Sequence, residues 1–121
     1  METLFVKVER CDESGMVRVI SRISDAPKED KSILRPLDYR VFEETHIPSE
    51  YQHLAGALIS LMFWHPLRMV RSVEIEALRD GDVCTAVAQI ETSDQKTYYR
   101  SGFGDRLIEA LVELTLDIQQ R

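Results

Sequence analysis

The stretch 98–118 constrains the fold most, because a strand, two glycines and an amphipathic helix follow one another there. A helix is predicted over 105–119, with Asp105 as a good N-cap. Apolar side chains recur along it at helical spacing and form one stripe, made of Leu107, Ala110, Leu111, Leu114 and Ile118. Such a stripe is stable only when another layer covers it, so the end of the chain predicts a layered core.

Alternating apolar and polar residues predict strands in the remainder of the chain. Two strands, Thr3–Arg10 and Met16–Ile23, form a hairpin around the turn residues 11–15. Three more follow closer to the C-terminus, at 70–78, 83–91 and 96–100. The middle one of these three has a small face that would let a helix lie close to the sheet, made of Cys84, Ala86 and Ala88.

A second helix is predicted over 50–64, with a capping box that begins at Ser49 and a stop at Pro66. Apolar residues occupy most of its circumference, so it needs cover on more than one side. The cover comes either from the long irregular segment 24–48, which offers a short edge strand at 39–43, or from a second copy of the chain. The second alternative predicts a homodimer through 50–64.

Together these elements predict a single α+β domain over 1–121, in the order β-β-α-β-β-β-α. An antiparallel sheet of four to five strands, with two helices packed on one face, is the simplest architecture that buries both apolar helices. A chain of 121 residues is long enough for one such two-layer core and too short for two independent ones.

Charge and cysteine usage narrow the classes of function. The chain has 21 acidic and 15 basic residues and a formal net charge of -6, which repels phosphate backbones, so direct nucleic-acid binding is not expected. Cys11 and Cys84 have no metal-binding spacing, so we expect free thiols and no metal or other cofactor. The N-terminus lacks the pattern of a signal peptide, and no apolar run is long enough to span a membrane. Both observations favour a cytoplasmic protein.

The histidines give little support to catalysis. His46, His53 and His65 have no cysteine or serine nearby in the setting of a nucleophile, and there is no metalloprotease motif. No pair of carboxylates lies in an apolar setting that would separate their pKa values. We therefore expect a protein that is not an enzyme.

The segment around the two glycines is one candidate site. Backbone amides at the start of a helix bind anions, and two arginines add positive charge. The candidate residues for a small anionic ligand such as a nucleotide are Tyr98, Arg100, Gly102, Phe103, Gly104 and Arg106. Asp105 places a negative charge where an anion would bind and no phosphate-loop motif is present, so a plain glycine turn is the simpler interpretation.

Acidic residues form a second candidate site. Glu109, Glu113 and Asp117 stand four residues apart on the outer face of the last helix, where like charges repel by roughly a few tenths of a kcal/mol per pair. Nothing local is expected to compensate that cost. Together with Glu74 and Glu76, they are predicted to imitate a phosphate backbone and to bind a basic groove of a partner protein. The alternative is an ordinary solvated face.

The three strands and last helix, over the C-terminal half, resemble two known groups. The first is the end of double-stranded-RNA-binding domains, whose last helix opens with lysines that hold phosphates. This helix opens with residues 105–109, DRLIE, so the resemblance does not imply RNA binding. The chain is also similar in outline to small phage-encoded α/β-sandwich proteins of the anti-defence or inhibitor type, in which a short helix, a hairpin and a helix rich in Ala and Leu recur. That resemblance implies a non-catalytic protein that binds host machinery or sequesters a small signalling molecule.

Two functions are therefore predicted. The first is a small acidic interaction protein, encoded by a phage or mobile element, that binds and inhibits a partner protein with a basic surface. The alternative is a module that binds or sequesters a small anionic ligand through the segment 98–106.

Overall fold

The protein folds into one antiparallel sheet with a helix packed on one of its faces, as seen in a computed structural model. The structure describes residues 3–11, 16–23, 31–36, 51, 53–54, 57–58, 61 and 70–119. Within these ranges the strands are β1 (Thr3–Arg10), β2 (Met16–Ile23), β3 (Lys31–Pro36), β4 (Val70–Asp80), β5 (Val83–Thr92) and β6 (Thr97–Gly104). The last element is the helix α1 (Leu107–Gln119).

The six strands lie in the order β3-β2-β1-β4-β5-β6, and each is antiparallel to its neighbours. The predicted α+β class is confirmed, and β1 and β2 have the bounds that their alternation predicts. The sheet has one strand more than the four to five predicted, because β3 pairs with β2. The large apolar residues of β3, Ile33 and Leu34, are adjacent in sequence. No alternation of apolar and polar side chains therefore indicates this edge strand in the sequence, and only its backbone pairing with β2 defines it.

Alternate strand residues form the core on one face of the sheet, here called the inner face. Val6, Ile75 and Ala88 are aligned across β1, β4 and β5, and all three are fully buried. The small residues of β5 are also fully buried, as predicted: Cys84, Ala86 and Ala88. They leave room for α1, which packs on β5 and β6 over this part of the inner face.

The helix α1 buries the predicted stripe in full: Leu107, Ala110, Leu111, Leu114 and Ile118. Thr115 is buried beside the stripe, where its hydroxyl donates a hydrogen bond to the Leu111 carbonyl at 2.8 Å. The Ala110 amide bonds to the Arg106 carbonyl at 3.1 Å, so Arg106 is the N-cap and the prediction of Asp105 is wrong. The cause is the length of β6, which leaves only two residues to connect strand and helix.

Six residues of the predicted helix over 50–64 are described: Tyr51 lies in a 3-10 turn, and the other five, between His53 and Leu61, are α-helical. Leu54 and Leu58 are buried in the same hydrophobic cluster as the leucines of α1, which places these two side chains on the inner face too. The rest of 50–64 and the predicted edge strand at 39–43 lie outside the described residues. A homodimer through 50–64 stays a prediction.

Candidate functional site

The strand β6 is the last of the sheet, and one of its sides has no neighbouring strand among the described residues. The Thr92 amide bonds to the Lys96 carbonyl at 3.0 Å, and hydrogen-bonded pairs then recur at every second residue along β5 and β6. The intervening residues therefore direct their backbone N–H and C=O groups away from the sheet. These are Thr97, Tyr99, Ser101 and Phe103, and with no described strand beside them their backbone forms an open edge.

The two glycines of β6 face α1. A Cβ atom on Gly102 would clash with the carbonyl oxygen of Ala110 and with the amide nitrogen of Leu114. A Cβ atom on Gly104 would lie 2.5 Å from the Glu109 Cβ. The helix backbone thus lies directly on the strand, which only glycine permits. The predicted strand over 96–100 and glycine turn are corrected: β6 continues to Gly104, and its glycines serve close packing.

This close approach brings the carboxylates of α1 beside the open edge. We call Glu109, Glu113 and Asp117 the acidic ridge. The Asp117 carboxylate accepts a hydrogen bond from the Ser101 amide at 3.2 Å. Glu113 stands between the other two along the helix, is exposed, and makes no hydrogen bond or ion pair with any residue that the structure describes.

Glu109 has two local donors at the start of the helix. Its carboxylate accepts from the Arg106 Nε at 3.0 Å and from the Asp105 amide, also at 3.0 Å. The Arg106 hydrogen bond, followed by that of the Asp105 amide, lowers the pKa of Glu109 below its usual value. The prediction that nothing local compensates the repulsion within the ridge is therefore wrong, because the guanidinium and backbone amides offset it.

A shallow groove of about 690 Å³ runs between the acidic ridge and the open edge. Its lining combines backbone, carboxylates and apolar side chains: Ser101, Gly102, Phe103, Glu109, Glu113, Leu116 and Asp117. Phe103 is 60% exposed and Leu116 is 42% exposed, so both offer apolar surface to a bound partner. The groove can therefore supply strand-type hydrogen bonds, negative charge and apolar contact together.

The other two predicted acids lie elsewhere. Ile75 is fully buried on the inner face, so its neighbours Glu74 and Glu76 point to the opposite, outer face of the sheet. Glu74 is aligned with Lys7 of β1 in the outer-face register. The structure therefore brings together three of the five predicted partner-binding residues and separates Glu74 and Glu76 from them.

The residues predicted for an anionic ligand do not converge on one site. Tyr98 and Arg100 share the inner side of β6 with the glycines, whereas Phe103 faces the outer side. The Arg100 guanidinium bonds to the Tyr99 carbonyl at 2.7 Å and lies 5.9 Å from the centre of the Tyr98 ring. The Glu109 carboxylate already accepts the hydrogen bond of the Asp105 amide at the helix start, which is where an anion would bind.

Sequence reasoning missed the open edge and the apolar residues beside it. Ser101 and Leu116 line the groove, and Tyr99 is 62% exposed on the outer face. A signal was present, because glycines at alternate positions in YYRSGFG are typical of a strand that carries a helix close against one side.

No family model, curated protein or solved structure matches the chain. The resemblance to small phage-encoded proteins accordingly stays a prediction. In the described part of the chain, no three His, Cys, Asp or Glu side chains are grouped to hold a metal ion, and both described cysteines are free thiols. None of the described helices combines the length and apolar character needed to cross a membrane.

We predict that Gly102→Ala lowers the free energy of unfolding by about 1–3 kcal/mol or more, because neither backbone can yield to the added methyl group. Ser101→Ala is the matched control, because this exposed neighbour faces the outer side. It should change the free energy of unfolding by less than about 0.5 kcal/mol. Urea denaturation followed by circular dichroism measures both. Equal stability of the two variants would show that α1 does not lie against β6.

We predict that a pH titration followed by carboxyl-carbon NMR finds the pKa of Glu109 below that of an ordinary glutamate, and that Arg106→Gln raises it. A lowered pKa in the folded chain stabilises the fold above the unfolded pKa, and this contribution is lost as the pH falls through the folded value. Arg71→Gln is the control, because Arg71 lines a different surface with Lys7 and Glu91. An unchanged Glu109 pKa in Arg106→Gln would remove the assigned cause.

Proposed function

We propose that the chain is a small non-enzymatic protein that binds a basic surface of a partner protein in the groove between the acidic ridge and β6, and thereby inhibits that partner. The observation that supports it most is the juxtaposition of Glu109, Glu113 and Asp117 with an open strand edge. Occupation of a basic surface blocks whatever else binds there, so inhibition follows from binding.

Electrostatics favours a basic partner. The net charge of -6 attracts a cationic surface at long range, and the acidic ridge concentrates negative charge at the groove. Glu109 stays ionised below the usual pH range of a glutamate because Arg106 lowers its pKa. Glu113, exposed and without a described partner, is placed to accept a lysine or arginine from the partner.

The shape of the groove favours a protein segment over a small molecule. Sites for small molecules are enclosed and mainly apolar, and they bury most of their ligand. This groove is shallow and lined by carboxylates, with exposed apolar surface at Phe103 and Leu116. Apolar contact flanked by charged groups is the usual make-up of a protein interface.

The function is tested by capture of proteins from a lysate of the cells that make the protein, with wild type and Glu113→Lys as bait. We expect the captured proteins to be basic and to elute as the salt concentration rises. The captured amount should fall about tenfold with Glu113→Lys. Glu91→Lys is the matched control, because it makes the same charge change at an exposed position of β5 outside the groove. Quantitative mass spectrometry measures the captured amounts.

Loss of the same proteins with both variants would indicate a general charge effect and would contradict a site at the groove. Unchanged capture with Glu113→Lys at low salt would also contradict it, since the reversed charge lies at the centre of the acidic ridge.

A further inference from the structure

We propose that the partner contributes an extended segment that adds to β6 as a seventh strand, with basic residues alternating with apolar ones. This inference rests on the proposed function and adds the conformation and the sequence pattern of the bound segment. It depends on three features of the described residues: the outward-facing backbone of β6, the different chemistry on its two sides, and the placement of Asp117.

The open edge has backbone amides that are available for hydrogen bonding. The amides of Tyr99 and Phe103 point away from β5 and bond to no residue that the structure describes. An extended segment pairs with such groups through main-chain hydrogen bonds, which is how exposed sheet edges bind peptides. The Tyr99 carbonyl is bonded to the exposed guanidinium of its neighbour Arg100, a contact that a bound strand can replace.

Asp117 occupies the middle of the open edge. Its carboxylate accepts the Ser101 amide at 3.2 Å and so takes the place of a strand carbonyl. A bound segment needs that amide for its own carbonyl. A lysine or arginine on the segment would then give the displaced carboxylate a new partner, so basic residues are favoured on the side of the segment that faces α1.

The opposite side of the segment meets a different surface. Tyr99 and Phe103 are 62% and 60% exposed on the outer face, with Val87 of β5 beside them. Successive side chains of a strand point to opposite faces, so a segment bound here places every second residue next to these exposed apolar side chains. Alternation of basic and apolar residues matches both sides of β6 at once.

A second copy of this chain fits the edge less well. Pairing of β6 with its own copy about a two-fold axis would bring two acidic ridges together, with like charges facing each other. The residues that β6 itself would present to the facing ridge are Tyr98, Arg100, Gly102 and Gly104. Only one of these four is basic, against three carboxylates.

The test uses synthetic peptides and the full chain, with binding followed by amide NMR. One nonapeptide alternates lysine with valine, and its isomer has the same residues with the lysines in one block. Two further versions of the alternating peptide are N-methylated, one at the lysine amides and one at the valine amides. In an added strand only one of these two sets of amides faces β6.

We expect the alternating peptide to shift the amides of Tyr99, Ser101 and Phe103, and to bind at least about tenfold more tightly than the block isomer. One N-methylated version should lose at least about tenfold in affinity, and the other should stay within about twofold. Glu113→Lys should weaken the alternating peptide, as the proposed function requires.

Equal binding by the alternating peptide, the block isomer and both N-methylated versions would overturn strand addition. The proposed function would then be supported by charge attraction alone. If no peptide shifts a resonance of β6 or α1, both proposals fail. A dimer in light scattering, with the Tyr99 and Phe103 amides already protected in the free protein, would assign the edge to a second copy and overturn the inference.

Discussion

The close contact between Gly102 and the backbone of α1 is the constraint on which the candidate site depends. Because no side chain separates strand from helix at this point, α1 lies against the last strand of the sheet and its carboxylates reach the backbone of that strand. A larger residue would push the helix away and would separate the acidic ridge from the open edge. The same packing therefore contributes to the stability of the core and forms the groove.

An open strand edge carries a risk of aggregation, because it pairs readily with other strands. Here the hazard is moderated by charge. The Asp117 carboxylate accepts the hydrogen bond of the Ser101 amide in the middle of β6. The acidic ridge also repels other acidic chains, including copies of the protein itself. The protection is selective, since a basic segment is attracted by the carboxylates that discourage an acidic one. This selectivity is the physical basis of the proposed interaction.

Much of the fold could be predicted from local patterns, because alternation and helical spacing reflect which side chains are buried. They placed β1, β2 and the stripe of α1 correctly. They missed β3, whose pairing uses backbone groups that leave no mark in the side-chain pattern. They misplaced Gly102 because glycine serves both turns and close packing, and only the position of the helix distinguishes the two. The acidic ridge was predicted, but its contacts with Arg106 and the Ser101 amide required the tertiary structure.

Hydrogen exchange of the β6 amides measures whether this strand presents an open edge beside the acidic ridge. We expect slow exchange at Arg100 and Gly102, whose amides pair with β5, and fast exchange at Tyr99 and Phe103. The Ser101 amide should be intermediate in the wild type and fast in Asp117→Ala, where the accepting carboxylate is lost. Protection at Tyr99 and Phe103 equal to that at Arg100 and Gly102 would show that the edge is already paired and that β6 is not free to bind a partner.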